Sequence, residues 1–111
     1  MAYGQGVVIV ETRAFTTRIL DLLRDEDYRL PQLELVRKPE AGHVIPGAGG
    51  LRKLRWGASG RGKRGGARII YFWHPKSQHA LMLFAYPKNE RSDLTPAQRR
   101  TLRKLVETEY P

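Results

Sequence analysis

"LRKLRWGASGRGKRGGARIIYFWHPKSQHALMLFAY", residues 51–86, decides the fold. "ARIIYFWH" and "HALMLFAY" are dense in β-branched and aromatic residues, and "HPKSQ" lies between them. Runs of this kind bounded by turn formers read as antiparallel strands. The pattern predicts strands over about 51–57, 67–74 and 79–86, with a Gly-rich basic loop at 57–66. The first strand alternates weakly, placing Leu54 and Trp56 on one face and Lys53 and Arg55 on the other.

Upstream, "VVIVE" (Val7 to Glu11) reads as a further strand. In "AFTTRILDLLRDED", Phe15, Ile19, Leu22 and Leu23 recur at helical spacing and predict an amphipathic helix of about 10–12 residues. Asp27 is placed to cap a second helix, "YRLPQLELVRK", which would put Pro31 in its first turn. Pro39 and Gly42 end that helix. "PEAGHVIPGAGG" follows as a link without periodicity. Downstream, "LTPAQRRTLRKLVETEY" carries the signals of a final helix: Thr95 as N-cap, Pro96 at the first helical position and Gln98 completing a capping box. Leu102, Leu105 and Val106 form its apolar stripe, and "ETEYP" reads as a frayed end. The expected order is β-α-α-β-β-β-α. This is an α+β domain whose helices are segregated to one side of a mainly antiparallel sheet of about four strands. The other face or rim would be free to display Lys53, Arg55 and Arg68.

The 111 residues suit a single domain, residues 1–111. No apolar run approaches the length of a membrane span, and no basic segment precedes the short apolar stretch near the N-terminus. The absence of cysteine excludes disulfides and thiolate metal sites and fits a reducing compartment. A cytoplasmic protein is expected.

The charge is the sharper signal. The net charge is +9, and between Glu40 and Glu90 there is no acidic residue. That interval holds Arg52, Lys53, Arg55, Arg61, Lys63, Arg64, Arg68, Lys76 and Lys88. The rest of the chain balances, so the whole excess lies in the middle. Like charges this close repel, and a stable fold gains little from them. A polyanionic partner, above all nucleic acid, accounts for the pattern.

Two glycine motifs inside this region mislead. "GASGRGKR" (57–64) approaches a phosphate-loop pattern, and "GRGKRG" (60–65) matches GxGxxG. Both motifs need a helix to begin at the loop, and here a strand follows. The glycines more plainly let Arg61, Lys63 and Arg64 approach a phosphate chain. His43, His74 and His79 lack metal-ligand spacing, so neither a metal nor another cofactor is expected.

Pairing 51–57 with 67–74 brings Arg68 near residues 55–57, with Lys88 at the end of the last strand. Such a cluster binds phosphate and can cleave RNA, whose 2′-OH is a built-in nucleophile. A lysine depressed in pKa by cationic neighbours can act as base. Arginine keeps its charge and grips phosphate oxygens.

"GGLRKLRW", "GKRGGARIIYFW" and "FAYPKNERSDLTPAQRRTLRKLVE" together resemble the RelE superfamily of bacterial toxins, and "PEAGHVIPGAGGLRKLRW" resembles its HigB-type branch. The resemblance implies a RelE-like fold and a small endoribonuclease that cuts mRNA in the ribosomal A site. It implies a cognate antitoxin from the same operon, of the helix-turn-helix HigA type, through which alone the toxin meets operator DNA. It places the catalytic set on Lys53, Arg55, Arg68 and Lys88, with Asn89 beside Lys88 as an RNA contact; the basic run itself offers Arg52, Arg61, Lys63 and Arg64 as further RNA contacts. Two departures stand out. Thr95 occupies the place of a base-stacking aromatic, a role left to Tyr71 or Tyr86 or to none. Arg55 replaces a family lysine, leaving Lys53 or Lys88 as the better base. Two other functions fit the same sequence: a ParE-like poison of DNA gyrase, and a non-enzymatic basic module that binds RNA or DNA backbone.

Overall fold

A computed structural model describes residues 6–57, 66–90 and 93–111. The elements are β1 (Val8–Glu11), α1 (Arg13–Leu22), α2 (Asp25–Arg37), β2 (His43–Val44), β3 (Leu51–Trp56), β4 (Ala67–His74), β5 (His79–Pro87) and α3 (Pro96–Glu109). The strands form one sheet in the order β1-β5-β4-β3-β2. Only β1, against β5, pairs parallel. The α+β class, the central hairpins and the helix order match the sequence reading.

The placement of the helices does not. The sheet is covered on both faces. Phe15, Ile19 and Leu23 from α1 and its end, and Leu35 from α2, pack on Leu54, Ile69, Tyr71, Ala80, Met82 and Ala85. On the opposite face, Leu102, Leu105 and Val106 of α3 pack with Leu51, Ile70, Leu81 and Leu83. The reason is in β4 and β5 themselves. Ile69 and Ile70 are both fully buried, as are Met82 and its neighbour Leu83 to within 1%. A strand that is apolar on both faces needs cover on both.

A bulge shapes the second face. Ile70 pairs with Phe84 but Tyr71 pairs with Met82, so Leu83 is an extra residue in β5. Leu83 and Phe84 both join the α3 side, and alternation resumes with Tyr86 on that side too. The end of α3 is not frayed. Tyr110 stacks on His74 at 4.4 Å, and its Oη lies 3.0 Å from His79 Nδ1.

The α2 start also differs. Arg24 is the N-cap, without a side-chain capping bond, and Asp25, Glu26 and Asp27 fill the first turn. Three carboxylates complement the positive end of the helix dipole, so no Asp27 cap is required. Pro31 therefore lies inside the helix, fully buried, and not in its first turn. The final helix starts as expected: Thr95 Oγ1 accepts from Gln98 N at 3.1 Å and Gln98 Oε1 accepts from Thr95 N at 3.0 Å.

The link at 39–50 contains β2, a two-residue strand too short to leave a pattern. His43 pairs with Lys53 and Val44 with Arg52. Tyr71 fixes it. Its Oη donates to Pro39 O at 2.7 Å and accepts from Gly42 N at 2.8 Å, while burial pushes the phenol pKa up. A Cβ on Gly42 would sit 2.6 Å from the Tyr71 ring. Gly42→Ala is expected to destabilise the fold by about 1–3 kcal/mol, because the buried ring has little room to move. Tyr71→Phe is expected to cost a similar ~1–3 kcal/mol by stranding both partners. Urea unfolding midpoints check both.

Candidate functional site

Strand β3 sends alternate side chains to opposite faces. Leu54 and Trp56 go to the α1/α2 side and Leu51 to the α3 side; Lys53 and Arg55 share the face of Leu51. In the β3–β4 register Arg55 is the direct partner of Arg68, and Arg68 is the partner of Tyr86 on β5. One row across the sheet thus reads Tyr86, Arg68, Arg55. The next reads Phe84, Ile70, Lys53. Arg55 is exposed, Arg68 half-buried and Tyr86 fully buried. Two arginines opposed across a ladder repel, and on this face they set two positive charges side by side.

Lys88 stands at the rim of the same face. It follows the final Ala67–Pro87 pair, donates its backbone N–H to Gly66 O at 3.2 Å, and leaves its side chain exposed. Asn89, also exposed, continues that turn. The structure therefore brings Lys53, Arg55 and Arg68 together with Lys88 beside them.

Arg52 does not join them. It faces the α1/α2 side, and its guanidinium donates to Gly42 O at 2.9 Å and Glu40 O at 3.2 Å. It fastens the link to the sheet. Arg61, Lys63 and Arg64 lie at 58–65, outside the described residues. Neither Tyr71 nor Tyr86 is open to stack on a base. Tyr71 is on the opposite face and committed to Pro39 and Gly42, and Tyr86 has no exposed surface. Phe84 is the half-buried ring in the Lys53 row, with the Arg18 guanidinium 5.3 Å from its centroid. It lines a groove of about 320 Å³ with Ala97, Gln98, Thr101 and Leu102.

Sequence reasoning missed Asp93. Lys53 is the buried charged side chain among the described residues, with 8% of its surface exposed. Its Nζ makes an ion pair with Asp93 Oδ1. The hydrogen bond and charge of Lys53, with smaller contributions from Arg55 and Arg99, hold the Asp93 carboxyl below its ordinary pKa. Lys53 and Asp93 are 40 residues apart, so no local motif announces the pair. Arg99 lies in the first turn of α3, off the apolar stripe, and nothing in the sequence sets it apart from Arg100 or Arg103. Among the described residues, no group of three His, Asp or Glu side chains is placed to hold a metal ion. No helix among them is long and apolar enough to cross a membrane.

The arrangement is a set of fixed cations on an open sheet face, suited to gripping a phosphodiester. Comparison with known proteins bears on what that face serves. A chain in the crystal structure of the intact E. coli RelBE toxin–antitoxin complex has a similar fold, with a TM-score of 0.55 and 14% identity, covering 71% of this chain and 93% of that chain. A family model described as the RelE toxin of the RelE/RelB toxin–antitoxin system matches residues 32–110. The match runs from within α2 to the end of α3 and takes in every cation of the face. The chain belongs to the RelE toxin family.

Proposed function

We propose that this protein is the toxin of a toxin–antitoxin pair and acts as a metal-independent endoribonuclease on mRNA in the ribosomal A site. The observation that carries the reading is the Arg55–Arg68 cross-strand pair beside Lys53 on the open face of a RelE-family sheet. In the reaction the RNA 2′-oxygen attacks the adjacent phosphorus and the bond to the 5′-oxygen breaks. The products are a 2′,3′-cyclic phosphate and a 5′-hydroxyl. Arg55 and Arg68 grip the non-bridging oxygens, where charge builds in the transition state. One amine takes the 2′-OH proton and a protonated group returns one to the leaving oxygen. Lys53 and Lys88 are the amines available, because guanidinium groups do not deprotonate.

An open face explains the dependence on ribosomes. Three cations hold a phosphate but offer no walls to set the path of the strand. The ribosome supplies that orientation, which is a large part of the barrier. The partner is an antitoxin, of the helix-turn-helix HigA type, that occupies the cationic face or blocks its approach to the ribosome. Operator DNA is reached only through it, and the protein works in the cytoplasm.

Purified ribosomes programmed with a defined mRNA test the reading by primer extension. The wild-type chain should cut only at A-site codons and leave cyclic phosphate ends. Arg68→Ala and Lys53→Ala should each lower the cutting rate by about 10²-fold or more. Intact mRNA with bound wild-type protein would reject the nuclease and leave a binding module. Arg52→Ala separates structure from chemistry. It should lower stability by about 1 kcal/mol through its lost carbonyl contacts and leave the cutting rate of the folded protein near wild type.

A further inference from the structure

We infer that Asp93 holds the place of an RNA phosphodiester in the free protein, and that Lys53, Arg55 and Arg99 form the site it vacates. The inference rests on the reading of this face as RNA-binding and adds the exchange of anions and the part played by α3.

An ammonium largely removed from water needs an anionic partner, since an uncompensated buried charge is costly. Lys53 is in that position and Asp93 supplies the anion. The two partners differ sharply in exposure: the Lys53 side chain is 9% exposed and that of Asp93 69%. The carboxylate therefore reaches in from solvent, while the lysine is fixed from below by the sheet. Asp93 can rotate away without disturbing the core, because the next residue, Leu94, stays anchored among buried side chains. Lys53 pairs with that carboxylate directly; Arg55 lies two residues along β3 on the same face, and Arg99 lies in the first turn of the helix that Asp93 leads into, and both add to the pull on the carboxylate. With Asp93 turned away, Lys53, Arg55 and Arg99 present three positive charges where its carboxylate stood. A phosphodiester has the single negative charge and the pair of free oxygens that such a site accepts. The exchange keeps an anion against Lys53 before and after RNA binds.

The experiment measures binding of a short 2′-O-methyl RNA oligonucleotide, which presents phosphodiesters but cannot be cut, by fluorescence anisotropy. Asp93→Asn should bind about 5-fold tighter than wild type, because the competing ion pair is gone. Glu107→Gln removes the same charge from a carboxylate that pairs with Arg103, and should gain clearly less. In a Lys53→Met background the Asp93→Asn gain should fall to that of Glu107→Gln. Arg99→Gln should weaken binding by about 5-fold, and more than Arg100→Gln on the exposed side of α3. The inference is overturned if Asp93→Asn gains no more than Glu107→Gln, or if its gain is undiminished without Lys53. Ribosome-dependent cutting by wild type together with either of those results would leave the nuclease reading intact and remove only the anion exchange. The expected binding results without cutting would keep the phosphodiester site and remove the nuclease.

Discussion

A central hairpin that is apolar on both faces governs this molecule. β4 and β5 carry buried residues in immediate succession, Ile69 with Ile70 and Met82 with Leu83, so neither face can be left to water. α1 and α2 cover one side. α3 covers the other, with its far end docked through Tyr110 on His74 and His79. That second cover leaves Arg55 exposed, and Arg68 and Tyr86 continue its row across the sheet. The cationic face is the part of an otherwise sealed sheet that stays open.

Keeping cations on that opening works against stability. Arg55 faces Arg68 directly across the ladder, and Lys53 lies in the next row with most of its surface buried. Asp93 offsets part of this repulsion at one point, and it does so from the segment that leads into α3. The same helix therefore covers the apolar end of the face and brings Asp93 and Arg99 to the polar end. The Thr95–Gln98 capping box fixes where the helix starts, and so fixes where Asp93 meets Lys53.

Much of this was legible in the sequence, because much of it is local. Strand composition placed the central hairpins, and the capping box placed α3. Antiparallel pairing alone predicted that Arg68 would neighbour Arg55. What was hidden depends on tertiary geometry. Arg52 stands immediately before Lys53 at the head of the basic run, and charge alone could not show that it bonds carbonyls of the 39–50 link. The apolar density of "ARIIYFW" and "ALMLFAY" already pointed to two covered faces, and reading the helices onto one side neglected it. The Leu83 bulge reverses the alternation of β5, so a strict two-residue period would have put Tyr86 on the wrong side of Arg68. Lys53–Asp93 joins two segments that only the packing of α3 brings together.

The N-terminal part of the chain serves a different end. The family match begins at residue 32, beyond β1 and α1, and none of the site cations precedes that point. β1 pairs with only the first half of β5, from His79 to Met82, which leaves the later carbonyls of β5 at an open edge. Open edges invite pairing with other chains. Thr12 Oγ1 donates to Leu83 O at 3.0 Å and Arg18 Nε to Ala85 O at 3.1 Å. α1 thus closes with side chains an edge that β1 is too short to close with backbone. Arg18 also reaches Phe84 and Glu90, beside the strand that carries Tyr86 and next to the turn of Lys88. Lys53, Arg55, Arg68 and Lys88 all lie outside the N-terminal elements. Those elements brace, at Leu83 O and Ala85 O, the strand that carries Tyr86 and leads into the Lys88 turn.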